Sequence, residues 1–174
     1  MFSLVIGASG SGKSAFAEEI ILHSSAKNRY YLATMRPYDE ESRQKIVRHQ
    51  TTRQEKNFST IECYQDLHHI VLPPSSAVLV ECLSNLLANC QYDEAFNDVD
   101  IVALLVEQLL KLAAQAEDLV IVSNEVFVDG VTYDESSRQY LANLVCLNRA
   151  LAAAAHQVIE VVYTLPIYHK KAAQ

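Results

Sequence analysis

The apolar run Phe2-Ser3-Leu4-Val5-Ile6 passes directly into Gly7-Ala8-Ser9-Gly10-Ser11-Gly12-Lys13-Ser14, and this junction constrains the fold more than any other stretch of the chain. Of the 4 glycines in the sequence, Gly7, Gly10 and Gly12 all lie here. A strand followed at once by a helix needs a turn with positive φ and close backbone approach, which a Cβ would obstruct. The segment fits the full pattern of a phosphate-binding loop, or P-loop. Successive backbone N–H groups wrap a β-phosphate, Lys13 reaches the β- and γ-phosphates, and the Ser14 hydroxyl binds Mg²⁺ at the start of the next helix. Lys13 is expected to stand exposed at the turn. The Ala15 to Leu22 stretch that follows has the apolar spacing of that helix. The loop implies nucleotide binding and leaves the reaction open.

With 174 residues and 50% hydrophobic content the chain reads as one domain, 1–174. That length buries about two-thirds of the unfolded surface. A formal net charge of −7, from 14 basic and 21 acidic residues, argues against the diffuse phosphate contacts of nucleic-acid binding. No apolar stretch reaches the roughly 18 residues of a membrane span, and the N-terminal run lacks the basic flank of a signal peptide, so a cytoplasmic protein is expected. Cys63, Cys82, Cys90 and Cys146 form no CxxC pair and no zinc-ligand spacing, and are read as buried reduced thiols.

Apolar, β-prone runs alternate with helical patterns along the whole chain. The fold class expected is therefore α/β, with a mainly parallel sheet and helices on both faces. Strands are predicted at Phe2 to Ile6, Tyr30 to Thr34, Ser59 to Glu62, Ala77 to Val80, Leu119 to Val122 and Val158 to Tyr163. Helices are predicted at Lys13 to His23, Asp39 to Gln54, Leu83 to Asn89, Val99 to Ala116 and Asp134 to Ala155, the last opened by Thr132 and Glu135 in capping-box spacing. The acidic Gln91 to Asp98 stretch reads as a mobile excursion.

Ligands of such sheets collect beyond the carboxyl ends of the strands. Two carboxylates stand there: Glu81 after Ala77-Val78-Leu79-Val80, and Glu125 in the Asn124-Glu125 that closes the run at Leu119. Either is suited to Mg²⁺, directly or through water. The Asp39 to Gln54 helix has little apolar surface to bury, and Lys45, His49 and Arg53 recur at i, i+4, i+8 on one of its faces. A histidine between two cations stays neutral, which leaves a ring nitrogen able to attack phosphorus.

On these residues the chain resembles the bifunctional adenosylcobinamide kinase/adenosylcobinamide-phosphate guanylyltransferase family of cobalamin biosynthesis. The resemblance runs through the P-loop, Leu32-Ala33-Thr34, and Asp39-Glu40-Glu41 leading by Lys45-Ile46 to His49 and Arg53. It continues through Ile61-Glu62-Cys63, Val80-Glu81-Cys82 with Asn89, Ser123-Asn124-Glu125-Val126, and Leu147-Asn148-Arg149-Ala150-Leu151. The family departs from this chain at Ala8 and Gly10, at the Phe127 to Thr132 loop, and at Thr164-Leu165-Pro166, where it carries Gly-x-Pro.

The resemblance implies a P-loop NTPase-type fold of the RecA-like kind and a homo-oligomer, a trimer. It also implies two activities, phosphorylation of adenosylcobinamide and transfer of GMP from GTP through a guanylyl-histidine. His49 and Lys13 would be catalytic. Gly7, Ala8, Ser9, Gly10, Ser11, Gly12, Lys13, Ser14, Ala33, Thr34, Met35, Gln50, Thr51, Thr52, Arg53, Glu62 and Glu81 would contact nucleotide. Ser14 and Glu81 would hold Mg²⁺, with GTP or ATP as substrate beside the corrinoid. Two other readings fit the P-loop: a kinase for another small alcohol, and a nucleotide-binding regulatory protein with reduced turnover.

Overall fold

A computed structural model describes residues 1–37, 56–125 and 133–172. The elements are β1 (Phe2–Ile6), α1 (Lys13–Leu22), β2 (Asn28–Ala33), β3 (Ser59–Glu62), β4 (Ser76–Glu81), α2 (Leu83–Gln91), α3 (Ile101–Gln115), β5 (Asp118–Val122), α4 (Glu135–Ala154), β6 (Gln157–Val162) and β7 (Leu165–Lys170). They form one sheet in the order β3-β2-β4-β5-β1-β6-β7. All pairings are parallel except β6 with β7. The expected α/β architecture is what the chain adopts.

The apolar runs are continuous because each central strand feeds two cores in alternation. Leu4, Val78, Val80, Leu119 and Ile121 pack with Leu86, Leu87, Leu105, Leu109, Leu147 and Leu151, which come from α2, α3 and α4. The intervening Val5, Ala77, Leu79, Val120 and Val122 pack with Ala17 and Ile21 of α1. The strand carrying the P-loop is thus sandwiched, and its C-terminal edge is rigidly placed. Both faces of the sheet carry helices, as expected.

Several local features differ from the sequence reading. The Gln91 to Asp98 stretch holds a 3-10 turn, Glu94–Phe96, whose cap Asp93 accepts from the Ala95 amide. Asp93 also accepts from Gln65 Nε2 at 2.8 Å and pairs with Arg36 at 3.6 Å, so local polar bonds stand where apolar burial is lacking. The N-cap of α4 is Asp134, which accepts from the Ser137 amide at 2.7 Å; Thr132 lies outside the described residues. Asp supplies the cap oxygen itself, so no Thr is needed at that position. The Asp39 to Gln54 helix also lies outside the described residues. Of the thiols, Cys90 is buried, Cys63 and Cys82 are half-buried, and Cys146 is exposed on α4.

β7 is absent from the sequence reading. It is an edge strand exposed along its whole length, and Pro166 within it is tolerated because an edge strand has one unpaired side. The two-residue turn before it, Tyr163-Thr164, has φ of 47° and 68°. Positive φ at both central positions is the hairpin-favoured turn that Asn-Gly normally signals, and Tyr-Thr carries no such signal.

Candidate active site

The P-loop joins β1 to α1 at the carboxyl edge of the sheet. Gly10 has φ +73° and Gly12 φ +91°, both in the left-handed region. Gly12 is the N-cap of α1, and that helix has neither a side-chain cap bond nor an acidic residue in its first turn. Its N-terminal amides and their partial positive charge are left for an anion. A Cβ on Gly7 would sit 2.6 Å from the Val161 carbonyl oxygen and 2.7 Å from Ser11 Oγ, so glycine is required there by close approach. The loop is closed by the Ser11 amide donating to Ala8 O at 3.2 Å. Ser11 Oγ is buried and has no hydrogen-bond partner, an orphan hydroxyl inside the cradle.

Lys13 is 8% exposed, against the expectation that it stands free. It is the first residue of α1, and its Nζ folds back and donates to Ala8 O at 3.1 Å. Burial pushes its pKa below the ordinary lysine value, and the nearby Cys82 and Glu81 pull it back up. The ammonium therefore lies between the loop and the end of β4, where it is poorly solvated and suited to meet phosphate oxygens.

Glu81 reaches this place because β4 is separated from β1 by β5 alone. The segment after Glu81 is held from the β2 side. Thr34 is fully buried; its amide donates to Glu81 O at 3.2 Å and its hydroxyl to Cys82 O at 2.9 Å. Asn89 of α2 then donates to Thr34 O at 2.7 Å and Tyr64 O at 2.8 Å, fastening the ends of β2 and β3 to the helix. Ala33 and Met35, on either side of Thr34, are half-buried. Cys82 Sγ and Ser84 Oγ lie 3.1 Å apart, and Asn124 Nδ2 donates to Ser84 Oγ at 2.6 Å. Asn89, Ser84 and Asn124 thus fix the carboxyl edge, a positioning role that only these contacts reveal.

Glu62 stands apart from this group. It ends β3 at the edge of the sheet, is exposed, and accepts from Tyr64 OH at 2.8 Å. With Ile61, Cys63, Asp66 and His69 it lines a cleft of about 370 Å³. Nearer the loop, Ile6, Asn124, Glu125, Asn148 and Arg149 line a cleft of about 260 Å³. The Glu125 amide donates to Gly7 O at 3.1 Å, so this second cleft abuts the P-loop. His49 lies outside the described residues, as do Lys45, Gln50, Thr51, Thr52, Arg53 and the Phe127 to Thr132 loop.

For a cation, the residues at hand are an oxygen set: the Ser14 hydroxyl at the head of α1 and the Glu81 carboxylate. No cluster of three or more His, Cys, Asp or Glu occurs among the described residues. A sparse oxygen set suits Mg²⁺, which keeps several waters and binds through one or two carboxylates plus substrate phosphates. The donors fit that ion.

The family of cobinamide kinase / cobinamide phosphate guanyltransferase matches residues 3–168. The chain belongs to this family. As a cobinamide kinase / guanyltransferase family member it is a transferase. It is 30% identical to the bifunctional adenosylcobalamin biosynthesis protein CobU of Escherichia coli (strain K12), aligned over 91% of this chain and 93% of that protein. Among solved structures it resembles the flagellar accessory protein FlaH from Methanocaldococcus jannaschii, with TM-score 0.52 and 12% identity, covering 98% of this chain and 78% of that one. It also resembles a KaiC-like protein from Pyrococcus horikoshii OT3, with TM-score 0.50 and 10% identity, covering 91% of this chain and 71% of that one. These structural likenesses show the fold, which is the P-loop, RecA-like type. No helix among the described residues is long and apolar enough to cross a membrane.

Proposed function

We propose that this family member phosphorylates the aminopropanol hydroxyl of adenosylcobinamide and then transfers GMP from GTP to the resulting phosphate through a guanylyl-histidine at His49. One observation carries the reading: a complete phosphate cradle, with the Lys13 ammonium near Glu81, in a chain that matches the family over residues 3–168.

In the kinase step the amides at the head of α1 hold the β-phosphate, and Lys13 shifts its ammonium from Ala8 O toward the γ-phosphate oxygens. The substrate hydroxyl attacks the γ-phosphorus in line and gives up its proton to solvent, the bond to the β–γ bridging oxygen breaks, and the nucleoside diphosphate leaves. Ser14 and Glu81 would hold Mg²⁺. The ion supplies charge neutralisation on the phosphate oxygens and orients them. Thr34 and Asn89 serve by keeping the end of β4 in register with the loop.

In the transferase step a ring nitrogen of His49 attacks the α-phosphorus of GTP. The bond to the α–β bridging oxygen breaks and pyrophosphate departs. An oxygen of the substrate phosphate then attacks the same phosphorus, and His49 is released as the nitrogen–phosphorus bond breaks. Gln50, Thr51, Thr52, Arg53 and Glu62 contact the guanine nucleotide in this reading. The functional protein is a homo-oligomer, a trimer, acting in the cytoplasm as a single domain.

Each step has its own assay. With γ-labelled GTP or ATP, label should pass to adenosylcobinamide; with α-labelled GTP, label should pass to adenosylcobinamide phosphate. Transfer of γ-label to a different alcohol, with none to cobinamide, would replace this reading with that of a plain kinase.

A further inference from the structure

The hairpin turn between β6 and β7 touches the P-loop. The Thr164 amide donates to Ser11 O at 2.8 Å, and a Cβ on Gly12 would lie 2.9 Å from Thr164 Cγ2 and 3.4 Å from Thr164 Cα. The residue before it, Tyr163, is 89% exposed. Its ring takes part in no ring contact or hydrogen bond among the described residues, so nothing in the fold accounts for an aromatic side chain there. A two-residue turn with positive φ at both positions would be served better by Asn-Gly.

The order of strands gives the turn a direction relative to the ligand. Glu81, and with it the side of the loop where Lys13 is drawn, lies two strands from β1 through β5. β6 is the neighbour of β1 on the opposite side, about 4.8 Å away by ordinary strand spacing. A triphosphate whose terminal end faces Lys13 and Glu81 must run across the head of α1 and leave the loop toward β6. Its nucleoside then emerges at the Tyr163-Thr164 turn. Glu62 is four strands from β1 in the other direction, beyond the reach of that nucleoside.

We propose that Tyr163 is the aromatic platform on which the base of the P-loop triphosphate stacks, a binding residue for the nucleotide. The proposal rests on the nucleotide-binding reading of the P-loop. Base–aromatic stacking tolerates any base, because every base has a π face. It therefore gives affinity to GTP and ATP alike and gives none to a bare polyphosphate.

The chain has 0 tryptophans, so Tyr163→Trp installs a single fluorescent reporter at the turn. Titration of that variant with GTP and with ATP should quench its emission, and saturation with inorganic tripolyphosphate should not. By calorimetry, Tyr163→Ala should bind GTP and ATP about tenfold more weakly and tripolyphosphate as the wild type does, while Tyr163→Phe keeps wild-type affinity for all three. Unchanged GTP and ATP affinity in Tyr163→Ala would overturn the proposal. So would an equal loss for tripolyphosphate, which would make the residue a brace for the loop. Wild-type protein that binds tripolyphosphate but gains nothing from a base overturns the platform alone; wild-type protein that binds no phosphate compound overturns the P-loop reading beneath it.

Discussion

Lys13 Nζ donates to the Ala8 carbonyl at 3.1 Å, so the lysine closes the loop that it serves. The contact keeps the ammonium satisfied while it is removed from water. In the proposed kinase step it also leaves the cation beside the incoming phosphate oxygens, with little reorganisation left for the binding step.

Because burial lowers the Lys13 pKa, the folded chain binds fewer protons than the unfolded chain between the lowered value and the ordinary 10.5. The unfolded state binds more, so this group makes stability rise with pH across that window. Lys13→Met should flatten the rise in denaturant titrations at several alkaline pH values. It should also abolish turnover with GTP and ATP at every pH. Bound triphosphate raises the lysine pKa again, so nucleotide binding at alkaline pH should take up a proton, read from calorimetry in buffers of different ionisation enthalpy. Proton release would contradict the placement of the ammonium.

The loop glycines should differ in their tolerance of alanine. Gly7→Ala drives a Cβ into the Val161 backbone carbonyl, which cannot rotate away, and should be the most damaging. Gly12→Ala combines φ +91° with contact to the Thr164 side chain. Gly10→Ala meets no atom within 4 Å and carries only the left-handed cost, about 1–2 kcal/mol. Chemical denaturation should rank them in that order. A Gly7→Ala protein as stable as wild type would show that β6 and the loop do not touch.

Asn89 should matter more than its distance from the phosphate cradle suggests. Its side chain is buried and donates to the carbonyls of both Thr34 and Tyr64. Asn89→Leu leaves those carbonyls without that donor, at about 1–3 kcal/mol, and loosens the segment that carries Glu81. Stability should fall, and the KM for nucleotide should rise in the protein that remains folded. An unchanged KM would confine Asn89 to a purely structural role.

The strand–loop–helix junction from Gly7 to Lys13 was the most legible part of the chain, because glycine spacing records backbone conformation directly. The central strands were legible for a similar reason: runs such as Ala77 to Val80 must be apolar on both sides to feed two cores. β7 was not, since Leu165 to Lys170 buries nothing and its turn uses Tyr163-Thr164 where Asn-Gly is usual. Nor were the polar fasteners Asn89, Ser84 and Asn124, whose roles arise only when the ends of β2, β4 and β5 come together. Lys13 is buried where exposure was expected, because a motif specifies the charge and says nothing of how the side chain packs.

If His49 carries GMP, covalent capture will trap the label on it. The protein is incubated with Mg²⁺ and α-labelled GTP, denatured, and its label followed through acid and alkali. A phosphorus–nitrogen linkage is cleaved in acid, where protonation makes the ring nitrogen a good leaving group, and survives alkali. Label with that behaviour should appear on the wild-type chain and none on His49→Asn, which should still pass γ-phosphate to adenosylcobinamide. An unlabelled wild-type chain, or a His49→Asn chain labelled as fully as wild type, would contradict that role of His49.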